Sequence, residues 1–164
     1  MKILFLLRHA KPVSGAESLR DLDRSLEDEG RRQAESVGKY LKDQNLELDL
    51  VLSSTALRAR ETTEIVLTTA GFLTEVRYDP RVYEASRQQL LEVISEIEPN
   101  KSKVLLVGHN PAMEELLRRL TDHFEAMGTA NLAKIDLRVS EWTEAGDRKG
   151  HLDWLVKPEQ LASG

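Results

Sequence analysis

The sequence predicts an α/β protein, a three-layer α/β/α sandwich with a mostly parallel central sheet. Three observations predict it. Short apolar runs with little or no alternation recur at residues 3–7, 48–52 and 104–107, as expected of strands covered on both faces. Amphipathic helical patterns lie between them, an order that implies parallel strands with right-handed crossovers and helices on both faces. Each run stops abruptly on polar residues, and ligands of open α/β sheets bind just outside such strand ends.

The elements follow in order. Ile3-Leu4-Phe5-Leu6-Leu7 is the first strand and ends in Arg8-His9. Residues 10–25 carry no sustained period and read as loop. From residue 26 to 43, Leu26, Gly30, Ala34, Val37 and Leu41 recur at helical spacing, with charged residues on the other faces. The second strand, 48–52, is broken only by Asp49 and ends in Ser53-Ser54. A helix from residue 56 carries Ala59, Thr63, Val66 and Ala70 inward, and Gly71 suits the left-handed position past its end. Residues 75–78 read as a short edge strand closed by Asp79-Pro80. Ser86 with Gln89 makes a capping box that opens a third helix, stopped before Pro99. The strand at 104–107 ends in Gly108-His109-Asn110-Pro111, with Asn110 as N-cap and Pro111 as first helical residue. Met113, Leu116, Leu117 and Leu120 line the helix beyond. Residues 132–139 and 151–156 read as a hairpin around a turn-rich stretch, and 158–164 as a frayed end.

The length of 164 residues fits one domain, 1–164. A net charge of −5 argues against a general nucleic-acid binder. There is no cysteine, which excludes disulfides and thiolate nucleophiles. No apolar stretch reaches membrane-spanning length, so no membrane partner is expected and the location expected is cytoplasmic.

In a parallel sheet the ends of the three strands share one edge. Arg8-His9, Ser53-Ser54 leading to Arg58, and Gly108-His109-Asn110 therefore surround one cleft. Arginine forks match phosphate oxygens, and Arg58 sits in the first turn of a helix. A histidine among arginines has its proton disfavoured by like charge, leaving a neutral imidazole as nucleophile. Concentrated positive charge suits phosphoryl transfer. A metal site is disfavoured, because no carboxylate stands at these strand ends and Arg8 repels a cation. A serine hydrolase lacks its Gly-x-Ser-x-Gly elbow, so Ser53 and Ser54 bond the turn or a phosphate oxygen. No P-loop occurs.

Leu-Leu-Arg-His at 6–9, Leu-Ser-Ser-Thr-Ala-Leu-Arg-Ala-Arg-Glu-Thr at 52–62 and Val-Gly-His-Asn-Pro at 107–111 resemble the histidine phosphatase, or phosphoglycerate-mutase-like, superfamily. Arg-His-Ala, the segment 23–30 (Asp-Arg-Ser-Leu-Glu-Asp-Glu-Gly) and Gly-His-Asn-Pro are similar to its SixA-like phosphohistidine phosphatase branch. The resemblance implies a phosphatase in which His9 is the nucleophile and passes through a phosphohistidine. It implies that Arg8, Arg58 and His109 form the phosphate pocket, with no metal or organic cofactor. Ser14 and Asn110 are further phosphate-binding candidates. Glu84 stands where many members carry an acidic proton donor; a solvated glutamate near a helix N-terminus is the other reading of it. Ala10 replaces the family's usual glycine, at a place where positive φ would strain an alanine. The implied substrate is a phosphohistidine protein. A small phosphate ester, or a phosphate-binding module with little turnover, are the alternatives. His123 and His151 read as surface or packing residues.

Overall fold

The computed structural model describes residues 1–15 and 19–161. Its core is a six-stranded sheet of order β3-β2-β4-β1-β5-β6. The strands are β1 (Lys2–Arg8), β2 (Leu50–Ser53), β3 (Val76–Tyr78), β4 (Lys103–Gly108), β5 (Leu132–Leu137) and β6 (Gly150–Val156). The first four pair in parallel; β5 runs antiparallel to β1, and β6 antiparallel to β5.

The helices are α1 (Asp28–Asp43), α2 (Leu57–Ala70), α3 (Arg87–Ser95), α4 (Ala112–Thr121) and the short α5 (Pro158–Leu161). Alternate residues of β1 serve opposite faces, as the pleat requires. Leu4 and Leu6 pack with α3 and α4, whereas Phe5 and Leu7 pack with α1 and α2. The continuously apolar run is thus a strand covered on both sides, and the layers form the expected sandwich. The predicted inward stripes are buried in α1 (Gly30, Ala34, Val37, Leu41) and α4 (Met113, Leu116, Leu117, Leu120). Gly71 closes α2 at φ 74°, and the Ser86–Gln89 capping box is formed.

Several boundaries move for identifiable reasons. Helix α1 starts at Asp28, because Leu26 instead forms an isolated antiparallel bridge with Pro12. Strand β2 starts at Leu50, since the Asp49 carboxylate accepts the Ser102 and Lys103 backbone N–H groups at 2.7 and 2.9 Å. Helix α3 ends at Ser95, although Ile97 beyond it is still buried. Asn110 does not cap α4: its Nδ2 donates to Glu114 Oε1 and to the Met127 carbonyl, both at 2.8 Å, and the helix follows Pro111 without a side-chain cap. Residues 158–161 form a helix where a frayed end was expected, and 162–164 lie outside the described residues. No described helix is long and apolar enough to cross a membrane.

Candidate active site

Register builds the site. Strands β1 and β4 pair Arg8 with Gly108, so the next residues, His9 and His109, emerge side by side. Their ring centroids are 4.9 Å apart. Ser53 pairs with Val107, which brings Ser54 and the start of α2 to the same edge. A cavity of about 440 Å³ opens there, lined by Arg8, His9, Arg58, Glu84, His109 and Asn110 of the expected residues. Pro12, Asp21, Arg24 and Tyr83 complete the lining. Ser14 is exposed and is not among the lining residues. His123 and His151 are exposed and also stand outside the cavity.

His9 is held on several sides. Its backbone N–H donates to the Gly108 carbonyl at 3.1 Å. Its Nδ1 lies 2.8 Å from the Ala10 carbonyl oxygen. A carbonyl only accepts, so Nδ1 carries the proton and Nε2 keeps its lone pair in the neutral ring. The residue is only 6% exposed. Burial, with Arg58, Arg8 and Arg24 adding like charge, lowers its pKa from 6.5 to about 4 against the pull of the Ala10 carbonyl. The neutral imidazole expected from neighbouring charge is present, but burial is its larger cause.

Ala10 is fully buried and is not among the positive-φ residues, so alanine there carries no left-handed strain. Its N–H donates to Thr62 Oγ1 at 3.0 Å, and Thr62 donates to the Arg58 carbonyl at 2.7 Å. Thr62 therefore ties the turn after His9 to the helix that carries Arg58.

His109 approaches Ser54 Oγ through Nε2 at 2.7 Å, while Arg58 Nη2 stands 3.4 Å from Nδ1. Arginine only donates, so Nδ1 is the acceptor and Nε2–H donates to Ser54. Ser54 Oγ also accepts the Ala56 N–H at 3.1 Å, so this serine bonds the turn. Burial, then the charges of His9 and Arg58, lowers the pKa of His109 to about 3.

The two guanidinium groups are held from behind. Arg8 Nη1 donates to the Met127 carbonyl at 3.1 Å. Glu114 Oε1 accepts the Met127 N–H at 2.8 Å and so steadies that carbonyl's segment. Arg58 donates through Nη1 to the Asp21 carbonyl at 2.7 Å and through Nη2 to Asp21 Oδ2 at 2.9 Å. Among the described residues, Arg8 Nε and Arg58 Nε are buried with no acceptor. Such orphaned donors are costly unless a ligand satisfies them.

Glu84 is exposed at the rim and has φ 56°. Among the described residues, no three His, Asp or Glu side chains cluster as metal ligands. Asp21, Arg24, Tyr83 and Thr62 were not singled out from the sequence. Tyr83 adjoins Glu84 in the chain, which was a usable signal. Asp21 and Arg24 sit in a charged stretch without period.

Paired histidines and arginines at parallel strand ends define a class of enzyme that handles phosphoryl groups. Residues 4–90 match the model of the histidine phosphatase superfamily (branch 1). An uncharacterised protein of Mycobacterium tuberculosis is 36% identical over 135 residues, which cover 82% of this chain and 77% of the relative. A candidate phosphohistidine phosphatase SixA from Nakamurella multipartitia superposes with TM-score 0.85 at 25% identity, covering 96% of both chains. One from Agrobacterium tumefaciens gives 0.82 at 30% identity, covering 96% of this chain and 98% of the other. The chain belongs to the histidine phosphatase superfamily. It is a phosphatase of SixA-like form with the phosphoglycerate-mutase-like fold.

Proposed function

We propose that the protein hydrolyses protein phosphohistidine through a phosphohistidine intermediate on its own His9. The observation that carries this reading is the His9 ring: neutral, oriented by Ala10, with its Nε2 lone pair free beside two guanidinium groups that have unsatisfied donors. A phosphoryl oxygen in the cavity supplies the acceptors that Arg8 and Arg58 lack. Arg8, Arg58 and His109 hold the group, with Asn110 beside them. A bound phosphoryl dianion brings opposite charge to His109 and raises its proton affinity, so that its ring then also donates.

In the first step His9 Nε2 forms a bond to phosphorus as the bond to the leaving atom breaks. Glu84 on the rim supplies the leaving group's proton; an imidazole leaving group also takes one from solvent. In the second step water attacks phosphorus, the P–Nε2 bond breaks, and phosphate and neutral His9 are released. The fixed guanidinium charge stabilises the equatorial oxygens in both steps. No residue of this scheme requires a metal or an organic cofactor.

The protein substrate is supported by the cavity's open rim and by the names given to the two SixA structures. A small phosphate ester remains the competing substrate, because the cavity accepts any phosphoryl group of suitable reach. A cytoplasmic place of action is part of this proposal. Purified protein is incubated with a phosphohistidine protein, quenched without acid, and His9 is examined for phosphate by mass spectrometry. Label on His9, and loss of turnover by orders of magnitude in His9→Ala, are expected. A large preference for sugar or nucleotide phosphates refutes the protein substrate, and unimpaired turnover by His9→Ala refutes the nucleophile.

A further inference from the structure

One carboxylate gathers the rim of the cavity. Asp21 Oδ2 accepts Tyr83 Oη–H at 2.7 Å and Arg58 Nη2–H at 2.9 Å. Its Oδ1 accepts Arg24 Nε–H at 3.0 Å, with Arg24 Nη2 at 2.9 Å. Its backbone carbonyl takes Arg58 Nη1–H at 2.7 Å. Both terminal nitrogens of Arg58 are therefore anchored by a single residue. Three segments distant in sequence meet here: the 3₁₀ turn Asp21–Asp23, the first turn of α2, and the stretch before α3. The Tyr83 hydroxyl first, and then the two arginines, hold the Asp21 carboxyl well below the usual carboxylate range.

Asp21 has two effects of opposite sign on an anion in the cavity. Its negative charge repels the anion, and its bonds fix the Arg58 fork that attracts it. Exposure separates the two. The Asp21 side chain is 50% exposed and screened by solvent, whereas that of Arg58 is 6% exposed, so its orientation cannot be restored by water. The second effect then outweighs the first. We infer that Asp21 is a positioning residue for phosphoryl binding, acting through Arg58 and Arg24, with Tyr83 as its brace. This inference rests on the phosphoryl-binding reading of the cavity and adds the residue that sets its affinity.

The sign of one measurement tests it. Inorganic phosphate is titrated into the wild type and Asp21→Asn, which keeps the shape and removes the charge. Steady-state kinetics with a small phosphoramidate and the ¹⁵N spectrum of the arginine Nε–H groups accompany the titration. Asp21→Asn is expected to weaken phosphate binding about tenfold or more, the scale of one lost charged hydrogen bond. KM rises by a similar factor, kcat changes much less, and the Arg58 Nε–H resonance broadens. Tyr83→Phe, which leaves every charge in place, weakens phosphate binding by a smaller factor of about threefold. Equal or tighter phosphate binding by Asp21→Asn overturns the inference, because the carboxylate is then a competitor of the ligand. A fall in kcat with unchanged KM also overturns it. If Asp21→Asn does not fold, Tyr83→Phe decides, and unchanged phosphate affinity in that variant overturns the inference. Failure of the wild type to bind phosphate removes the cavity reading itself, and this inference with it, before any variant is compared.

Discussion

Gly30 packs the first helix against the backbone next to His9, the proposed nucleophile, and Gly30→Ala tests that coupling. It is buried in the first turn of α1, facing the backbone just beyond His9. A Cβ added there would stand 2.1 Å from the Lys11 carbonyl oxygen and 3.0 Å from Lys11 N and C. A carbon–oxygen contact needs roughly 3.3 Å, so the backbone must give by about 1 Å. Neither side is a flexible side chain. Overpacking of this kind costs about 1–3 kcal/mol. The Glu27 N–H to Lys11 carbonyl bond at 3.1 Å is strained or lost, which costs about 1 kcal/mol more. The better helix propensity of alanine returns about 1 kcal/mol. The net expectation is about 1–3 kcal/mol of destabilisation in urea unfolding. Lys11 follows Ala10, whose carbonyl orients His9. Where the shift at Lys11 carries through to His9, the proposed nucleophile, a displacement of roughly 1 Å lowers kcat/KM by about a hundredfold. A Gly30→Ala protein that loses less than about 0.5 kcal/mol and keeps kcat/KM within about threefold refutes the reasoning.

Two further predictions follow from the histidines and the rim. The native pKa values of His9 and His109 lie at about 4 and 3, below the ordinary 6.5, so the unfolded chain binds protons that the native state refuses as pH falls below 6.5. Stability is therefore fully present above pH 6.5 and declines toward pH 4, by roughly 2 kcal/mol per histidine at pH 5. Denaturant unfolding at several pH values checks this, and NMR titration should show no His9 transition near 6.5; stability flat from pH 7 to 5 counts against it. Glu84→Gln should slow hydrolysis of an alkyl phosphomonoester by about a hundredfold or more, and that of phosphohistidine much less, since imidazole takes its proton from solvent. Equal losses on both substrates would remove Glu84 as the proton donor.

The convergence of Arg8, His9, Arg58 and His109 was legible because each sits at a local transition. An apolar run buried on both faces must stop where its backbone leaves the sheet, and a polar residue there marks the edge. Parallel order then places all such edges together without further information. Gly71 and Ser86 were legible for a similar reason, since end chemistry acts within a few residues. Asn110 was misplaced by the same local rule. Its side chain has a better offer from Glu114 and the Met127 carbonyl, the latter 17 residues away in sequence.

The order of strands and helices, the polar stops, and through them the family, are readable in the sequence. These depend on periodicity and on contacts a few residues apart. Packing of segments distant in sequence set the antiparallel course of β5 beside β1, the β1–β4 register that sets His9 beside His109, and the depth of burial that keeps both rings neutral. It alone brought Asp21 onto Arg58 and Tyr83, residues 37 and 62 positions away. A loop carboxylate has no period and no fixed partner; its place follows only from where the packed layers leave the guanidinium groups.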